Sequence, residues 1–338
     1  MIKTNIRFLL VGCGKIASRH ADIIQSIGEL TAVCDIDPAK SDAFATKYNA
    51  LPYTSLTTMI ETSIADVLVV CTPNGLHAAH SIEGMKSGLH VICEKPMAIC
   101  KSDCKQMIQV SVQTGQKLFI VKQNRYNPPV VYVQSLIQNK ILGQIFSIQV
   151  NGFWNRNREY YQDSWRGTKE LDGGILFTQF SHFIDLIHWW MGPVKEATGY
   201  AKNYQHQTFT AFPDTVVASL NFKNGAIGAV HFSTNSFGKN MEGSVSLIGE
   251  NGIVRIGGAY LNTLEYYNIK NVKQVLLDGG SPANDYGAYE GSMSNHPMVY
   301  KQVVNHISTN STEETNMYDS MGAVEMIELI EQSLVEIY

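Results

Sequence analysis

Gly12-Cys13-Gly14-Lys15-Ile16-Ala17 closes the first apolar run of the chain and opens a helical pattern. Gly-x-Gly-x-x-Ala at such a junction is suited to a pyrophosphate. Gly12 makes the tight turn, Gly14 lets the backbone approach the phosphates, and Ala17 lets the helix pack close on the strand. Lys15 and Ile16 lie inside the motif and count with it as cofactor-binding. Asp35 ends the second apolar run, about 20 residues on, where a carboxylate would hold ribose hydroxyls. Its charge opposes a 2′-phosphate, so the pattern selects NAD over NADP. Asp37, on the same loop, could merely cap the next helix ahead of Pro38. Cys71-Thr72-Pro73-Asn74 ends a third run, with His77 three residues later. Ligands of doubly wound sheets bind at the carboxyl ends of strands, which makes Thr72, Pro73, Asn74 and His77 cofactor candidates. Asn74 has a plainer alternative as the cap of the following helix. Glu94-Lys95-Pro96 ends the next run. A lysine there is placed to act on a substrate hydroxyl or carbonyl, while Glu94 holds it or touches the nicotinamide ribose. A surface ion pair is the bland alternative.

The elements that must position these groups are legible as alternating patterns. Ile6–Val11, Leu30–Cys34, Val67–Cys71, Val91–Cys93 and Leu118–Val121 are too continuously apolar for half-exposed strands. Helical stretches near 15–27, 38–48, 75–87 and 101–114 lie between them. Such alternation implies a doubly wound parallel sheet, a Rossmann domain over 1–122. After Gln123 the texture changes. A helix is expected at 128–140, then alternating segments at 145–154, 195–203, 214–222, 226–235, 243–248, 252–256 and 262–278, with helices at 174–191, 297–308 and 317–335. These predict a second α/β domain over 123–338, built on an open, mostly antiparallel sheet of about six strands.

The chain has 338 residues, 44% apolar and 17% charged, with a net charge of −4. That suits a two-domain globular protein and gives no basic footprint for nucleic acid or an anionic membrane. No apolar run approaches the roughly 20 residues of a membrane helix. Lys3, Arg7 and Leu10-Val11-Gly12-Cys13 mimic an export signal, but the apolar core is too short. Six cysteines without a secretion signal read as reduced thiols of a cytoplasmic protein. Cys100 with Cys104, and His77 with His80, lack a second pair at ligand spacing, so no metal site is expected.

Taken in order, Gly-x-Gly-x-x-Ala, Thr72-Pro73-Asn74 with His77, Glu94-Lys95-Pro96, Trp165-Arg166-Gly167, Asp172-Gly173-Gly174 and His182 with Asp185 resemble the Gfo/Idh/MocA oxidoreductases over almost the whole chain. The resemblance implies an NAD-dependent dehydrogenase of a sugar, cyclitol or related polyol. It assigns Lys95 and His182 as the catalytic pair, puts Gln123, Trp165 and Arg166 along cofactor or substrate, and gives Asp185 to the sugar. Many members that oxidise free polyols carry Asp four residues before the histidine, where this chain has Thr178. Thr178-Gln179-Phe180-Ser181-His182, Gln123-Asn124-Arg125-Tyr126-Asn127-Pro128-Pro129 and Tyr160-Tyr161 are closer to a branch that oxidises C3 of UDP-N-acetylglucosamine or its uronic acid. Arg125, Arg156, Arg158 and Arg166 suit a diphosphate and a carboxylate. Arg156 and Arg158 could equally decorate an exposed strand end. Tyr160, Thr178 and Gln179 complete the substrate candidates, and Trp189 and Trp190 read as core packing.

The implied chemistry is hydride transfer to NAD while Lys95 or His182 takes the hydroxyl proton. A place in nucleotide-sugar synthesis for surface polysaccharide follows from the same resemblance. Another sugar or inositol-type dehydrogenase is the first alternative. A catalytically silent NAD-binding regulator is the second, and it is disfavoured because Lys95 and His182 are both present. Helices enough for one face of the second sheet leave the other with Val, Ile and Phe at alternate positions. The chain is therefore expected to be a homodimer or homotetramer.

Overall fold

The computed structural model describes residues 5–162, 165–273, 276–277, 280–285, 290–309, 311 and 315–337. The chain divides into two compact units. One comprises Met1–Val121 with His296–Val324, the other Lys122–Asn295 with Glu325–Tyr338.

The first unit alternates β1 (Arg7–Val11), α1 (Ala17–Ile27), β2 (Glu29–Cys34), α2 (Pro38–Tyr48), β3 (Leu51–Tyr53), α3 (Leu56–Thr62), β4 (Val67–Val70), α4 (His77–Lys86), β5 (His90–Cys93), α5 (Lys101–Thr114) and β6 (Leu118–Ile120). The six strands form one parallel sheet in the order β3-β2-β1-β4-β5-β6. The run of buried residues in β1 and β4 is what makes these strands central. The sequence patterns miss β3 and α3. A three-residue strand with Pro52 at its centre has no period to detect, and its proline is tolerated because it lies on the sheet edge. Strand order reverses between β1 and β4, so the loops after these two strands meet at the switch point.

The second unit opens with α6 (Pro128–Gln138) and β7 (Ile145–Phe153). It continues through α7 (Ile175–Thr178), α8 (Ser181–Met191), β8 (Val194–Lys202), β9 (Thr215–Phe222), β10 (Ile227–Ser233), β11 (Glu242–Gly249), β12 (Gly252–Gly257), β13 (Thr263–Ile269) and a small ladder of β14 (Ala283–Asp285) with β15 (Glu290–Met293). The chain closes with α9 (His296–Ser308), α10 (Met317–Ser333) and β16 (Leu334–Glu336). The main sheet has eight strands, ordered β13-β12-β11-β7-β10-β9-β8-β16. It is antiparallel except where β10 meets β7 and β16 meets β8. The expected strand at 262–278 ends at Ile269, and residues 274, 275 and 278 of that span lie outside the described residues. No helix among the described residues is long and apolar enough to cross a membrane.

Two expectations need correction. The domain expected to run from 123 to the C-terminus does not hold that whole span, because α9 belongs to the first unit. Val299, Tyr300 and Val303 form a helical stripe that buries there beside α1 and Phe8. Asn316 then seals the open edge of β6, its side chain accepting from and donating to the backbone of Ile120 at 2.9 and 2.7 Å. The second correction concerns the open face of the large sheet. The alternating apolar set Ile148, Val150, Val230, Phe232, Val245 and Leu247 is buried, with Phe180 and Phe183 of the α7–α8 segment packed on Phe232. The opposite face mixes Ile227, Val217 and Tyr200 with Gln149, Ser219 and Thr198. It is part-polar, not the continuous Val/Ile/Phe surface the pattern suggested.

Candidate active site

In the first unit the glycine loop follows β1 as expected. Gly12 sits at φ +92°, and a Cβ there would lie 2.7 Å from the backbone of Cys71. Only glycine therefore lets the loops after β1 and β4 touch. A Cβ at Gly14 would meet nothing within 4 Å. Gly14 and Lys15 are exposed, and Ile16 leads into α1. This is an open cradle at a helix N-terminus, as a pyrophosphate requires. Asp35 lies just beyond β2. Its carboxylate accepts from the Cys13 amide at 2.8 Å and from the Asp37 amide at 2.9 Å. It is thus fixed on the loop with lone pairs left for ribose hydroxyls. Asp37 does cap α2, accepting from the Ala39 amide.

The loop after β4 is tied down by His77. Its Nδ1 is 2.7 Å from the Pro96 carbonyl and its Nε2 is 2.9 Å from the Thr72 carbonyl. Burial lowers the His77 pKa, and the two carbonyls oppose that. Both ring nitrogens are engaged, so His77 clamps the Thr72-Pro73 loop to the Lys95-Pro96 loop. Asn74 is buried at the start of a 3₁₀ turn, and Leu76 stands at the cap of α4, so the capping alternative for Asn74 does not hold.

Glu94 departs most from expectation. It is buried, and its Oε1 lies 2.8 Å from His20 Nε2 and 3.2 Å from His296 Nε2. Its Oε2 accepts from the backbone amide of Lys95 at 3.1 Å. Burial alone would raise the Glu94 carboxyl, but the two histidines overcome it and hold it well below the usual range. Glu94 therefore holds Lys95 through the main chain, and its carboxylate is occupied inside the unit. Lys95 itself is half-buried. Sequence reasoning missed His20, on α1, and His296, at the start of α9. Their separation along the chain gives no local signal.

The second unit gathers the remaining candidates into two groups. In the first, Asp185 on α8 accepts from Arg125 Nε and Nη2, both at 2.8 Å, and from Lys122 Nζ at 2.9 Å. Arg125 stacks over Trp189, 4.5 Å from the ring centre. Burial would raise the Asp185 carboxyl, but Arg125 and Lys122 outweigh it and hold it far below the ordinary range. The sugar role expected for Asp185 and the phosphate role expected for Arg125 are thus overlaid by an internal ion triad. Lys122 was not anticipated. Gln123, beside it, is buried and donates to Ser292 at 2.6 Å. Its Oε1 has no partner among the described residues.

The second group centres on Tyr160. Two guanidinium groups lie over its ring, Arg166 at 4.6 Å and Arg156 at 5.2 Å from the centroid. Arg156 also covers Trp154 and Arg166 covers Trp165. Arg156 is buried, donating to the Asn155 carbonyl at 2.6 Å and to Asn240 at 3.1 Å, so it does not decorate a strand end. Arg158 is exposed, at the start of the 3₁₀ turn that carries Tyr160. The Tyr160 hydroxyl accepts from Gln179 at 3.2 Å, and the Gln179 Oε1 is buried without a partner among the described residues. Thr178 does not present a free hydroxyl. It donates to the carboxylate of Asp172, which also accepts from the Gly167 amide at 2.8 Å. Burial raises the Asp172 carboxyl and these donors oppose the rise. Gly167 sits at φ +82°, where a Cβ would lie 2.4 Å from the Phe209 carbonyl, so Trp165-Arg166-Gly167 is spaced by backbone packing. His182 is buried on the first turn of α8.

A nucleotide-binding parallel sheet joined to an open-sheet α/β unit with these motifs defines an NAD-binding oxidoreductase. The chain belongs to the Gfo/Idh/MocA family. The family's NAD-binding Rossmann model matches residues 6–122, and its C-terminal domain model matches residues 130–255. Among solved structures, the WlbA dehydrogenase from Bordetella pertussis in complex with NADH and UDP-GlcNAcA is 33% identical, with a TM-score of 0.85. That match covers 98% of this chain and 96% of the other. The WlbA dehydrogenase from Chromobacterium violaceum, with the same two ligands, is also 33% identical, covers 98% of this chain and 94% of the other, and has a TM-score of 0.87. Among curated proteins, the 2,7-anhydro-N-acetylneuraminate hydratase of Escherichia coli is 26% identical over 68% of this chain. The match spans only 62% of that relative's length.

Proposed function

We propose that this NAD-dependent sugar dehydrogenase oxidises C3 of a UDP-linked N-acetylated hexose, with the uronic acid as first choice. The observation that carries the reading is the Arg156–Tyr160–Arg166 stack. Two guanidinium groups held on one aromatic ring are pre-organised for a diphosphate or a carboxylate. Thr178 supports it, because its hydroxyl is committed to Asp172 where free-polyol enzymes carry a ligand acid. The likeness to two dehydrogenases solved with UDP-GlcNAcA points the same way.

The residues fit NAD. Gly12, Gly14, Lys15 and Ile16 would cradle its pyrophosphate, Asp35 its ribose hydroxyls, and Thr72, Pro73 and Asn74 would line the switch point. Gln123, Trp165 and Arg166 are assigned to cofactor or substrate as the family resemblance implies. Bound NAD supplies the hydride acceptor. Lys95 or His182 takes the proton of the substrate hydroxyl as general base. Arg156, Arg158, Arg166, Tyr160 and Gln179 hold the charged end of the substrate, and Asp185 keeps Arg125 and Lys122 in place. In the cell we assign the reaction to nucleotide-sugar synthesis for surface polysaccharide in the cytoplasm, carried out by a homodimer or homotetramer.

The deciding assay incubates enzyme and NAD with UDP-N-acetylglucosaminuronate, UDP-N-acetylglucosamine, myo-inositol and glucose. An aminotransferase traps the 3-keto product, so that an unfavourable oxidation equilibrium does not hide turnover. Turnover of inositol or glucose, with neither UDP-sugar reacting under trapping, overturns the reading. A reaction without net oxidation is the second reading, favoured by the hydratase relative. It predicts conversion of substrate with no trapped ketone and no accumulated NADH.

A further inference from the structure

We propose that His20 and His296 are positioning residues for Lys95, acting through the carboxylate of Glu94. The proposal rests on the reading of Lys95 as a proton-handling group. Three segments of the first unit converge at Glu94: α1 with His20, the residue that follows β5, Glu94 itself, and α9 with His296. All three side chains are buried, His20 at 0%, His296 at 1% and Glu94 at 7% exposure. An ionised carboxylate only accepts, so both imidazoles donate through Nε2–H to Oε1. His20 Nδ1, 2.8 Å from the Tyr300 hydroxyl, then accepts from that hydroxyl. The tyrosine fixes the tautomer of His20, and His20 fixes Glu94. The other oxygen of Glu94 is thereby aimed at the backbone amide of Lys95. The chain of contacts ends on the main chain of the residue whose side-chain amine must meet a hydroxyl, where small displacements are costly.

The same three side chains could be taken for a metal site, since their donor atoms lie within 4.8 Å of one another. The geometry disfavours it. Three donors, with no fourth in the group among the described residues, do not make a closed structural zinc site, and their burial leaves no open position for a catalytic one. The 2.8 Å contact of His20 with Glu94 is already a direct hydrogen bond. The cluster also has a cost that a structural core would avoid. His296 Nδ1 is buried without a partner among the described residues, and an apolar packing residue would carry no such orphan.

The test uses the full-length enzyme and the trapped-product assay, with NADH fluorescence for cofactor affinity. His296→Ala is expected to lower kcat by about 10- to 100-fold, the usual scale for losing a residue that orients an active group. The Kd for NADH should stay within about twofold, because the glycine loop and Asp35 are untouched. His296→Gln should recover most of kcat, since its amide can donate to Glu94 in place of the imidazole. Adding His296→Ala to Lys95→Met should cost nothing further, because the pair acts as one unit. Tyr300→Phe keeps the packing and removes only the hydroxyl, so it carries the test if His296→Ala does not fold; kcat should fall by about 3- to 10-fold, below the scale for losing an orienting residue outright. Unchanged kcat in His296→Ala or Tyr300→Phe overturns the proposal. So does a parallel loss of kcat, NADH affinity and Tm that His296→Gln fails to rescue, or additivity with Lys95→Met. Stoichiometric zinc, iron or manganese in the purified protein that disappears in His20→Ala would replace it with a metal site. Failure of the parent reading shows separately, as full turnover by Lys95→Met alone.

Discussion

Asp185→Asn should be among the most destabilising isosteric changes available in the second unit. The native carboxylate accepts three charge-assisted bonds, two from Arg125 and one from Lys122. The Lys122 and Arg125 side chains are only 7% and 12% exposed. Asparagine keeps the shape and removes the charge, leaving two buried cations beside a neutral amide. Breaking a buried ion pair from one side costs about 3–5 kcal/mol, which for a domain of this size lowers Tm by about 6–20 °C. The pH dependence has a fixed sign. The folded carboxyl lies far below its unfolded value, so its contribution is fully present above the unfolded value of about 4 and is lost as pH falls toward the folded one. The wild type should therefore lose stability below about pH 4 more steeply than Asp185→Asn does. Calorimetry between pH 3 and pH 8 on both proteins, and on Asp185→Asn/Lys122→Met, reads all of this. The double variant removes one of the two buried cations and should recover part of the loss. A cost below about 1 kcal/mol at pH 7, the range of exposed pairs, would refute the claim that the triad is desolvated. A normal Tm with a large rise in KM would instead return Asp185 to the sugar.

Four further outcomes follow from the same geometry. NADH should bind at least about tenfold more tightly than NADPH, because Asp35 would face a 2′-phosphate; equal affinities in fluorescence titration would remove that role. Lys95→Met should cut kcat by about 10²–10⁴-fold with NADH binding retained; His182→Asn should do likewise, and their double variant should be far from additive. Arg156→Ala should raise KM for the UDP-sugar with a smaller change in kcat, and should also lower Tm, since the residue packs on Trp154 and Tyr160. Light scattering at micromolar concentration should give a dimer or tetramer; a monomer would mean that the part-polar sheet face is simply solvated.

The sequence by itself determined the elements whose signal is local. Five continuous apolar runs specified the parallel sheet, because a strand buried on both faces has no polar side to show. The glycine motif and Asp35 specified the cofactor, because a tight turn and a carboxylate 20-odd residues later are short-range requirements. Alternation in 145–154 and 214–235 specified the second sheet, though not which face lies open. Tertiary structure alone decided what each charged residue does. Glu94 reads as the partner of the lysine beside it, yet α1 and α9 deliver two histidines 74 and 202 residues away to its carboxylate. Asp185 reads as a sugar ligand until Lys122 and Arg125 are seen to neutralise it. Thr178 reads as a lost acid until its hydroxyl meets Asp172. The reason is common to all three. A buried charge costs several kcal/mol unless opposed, and the groups that oppose it come from whatever segment the fold brings near, at separations no local pattern encodes.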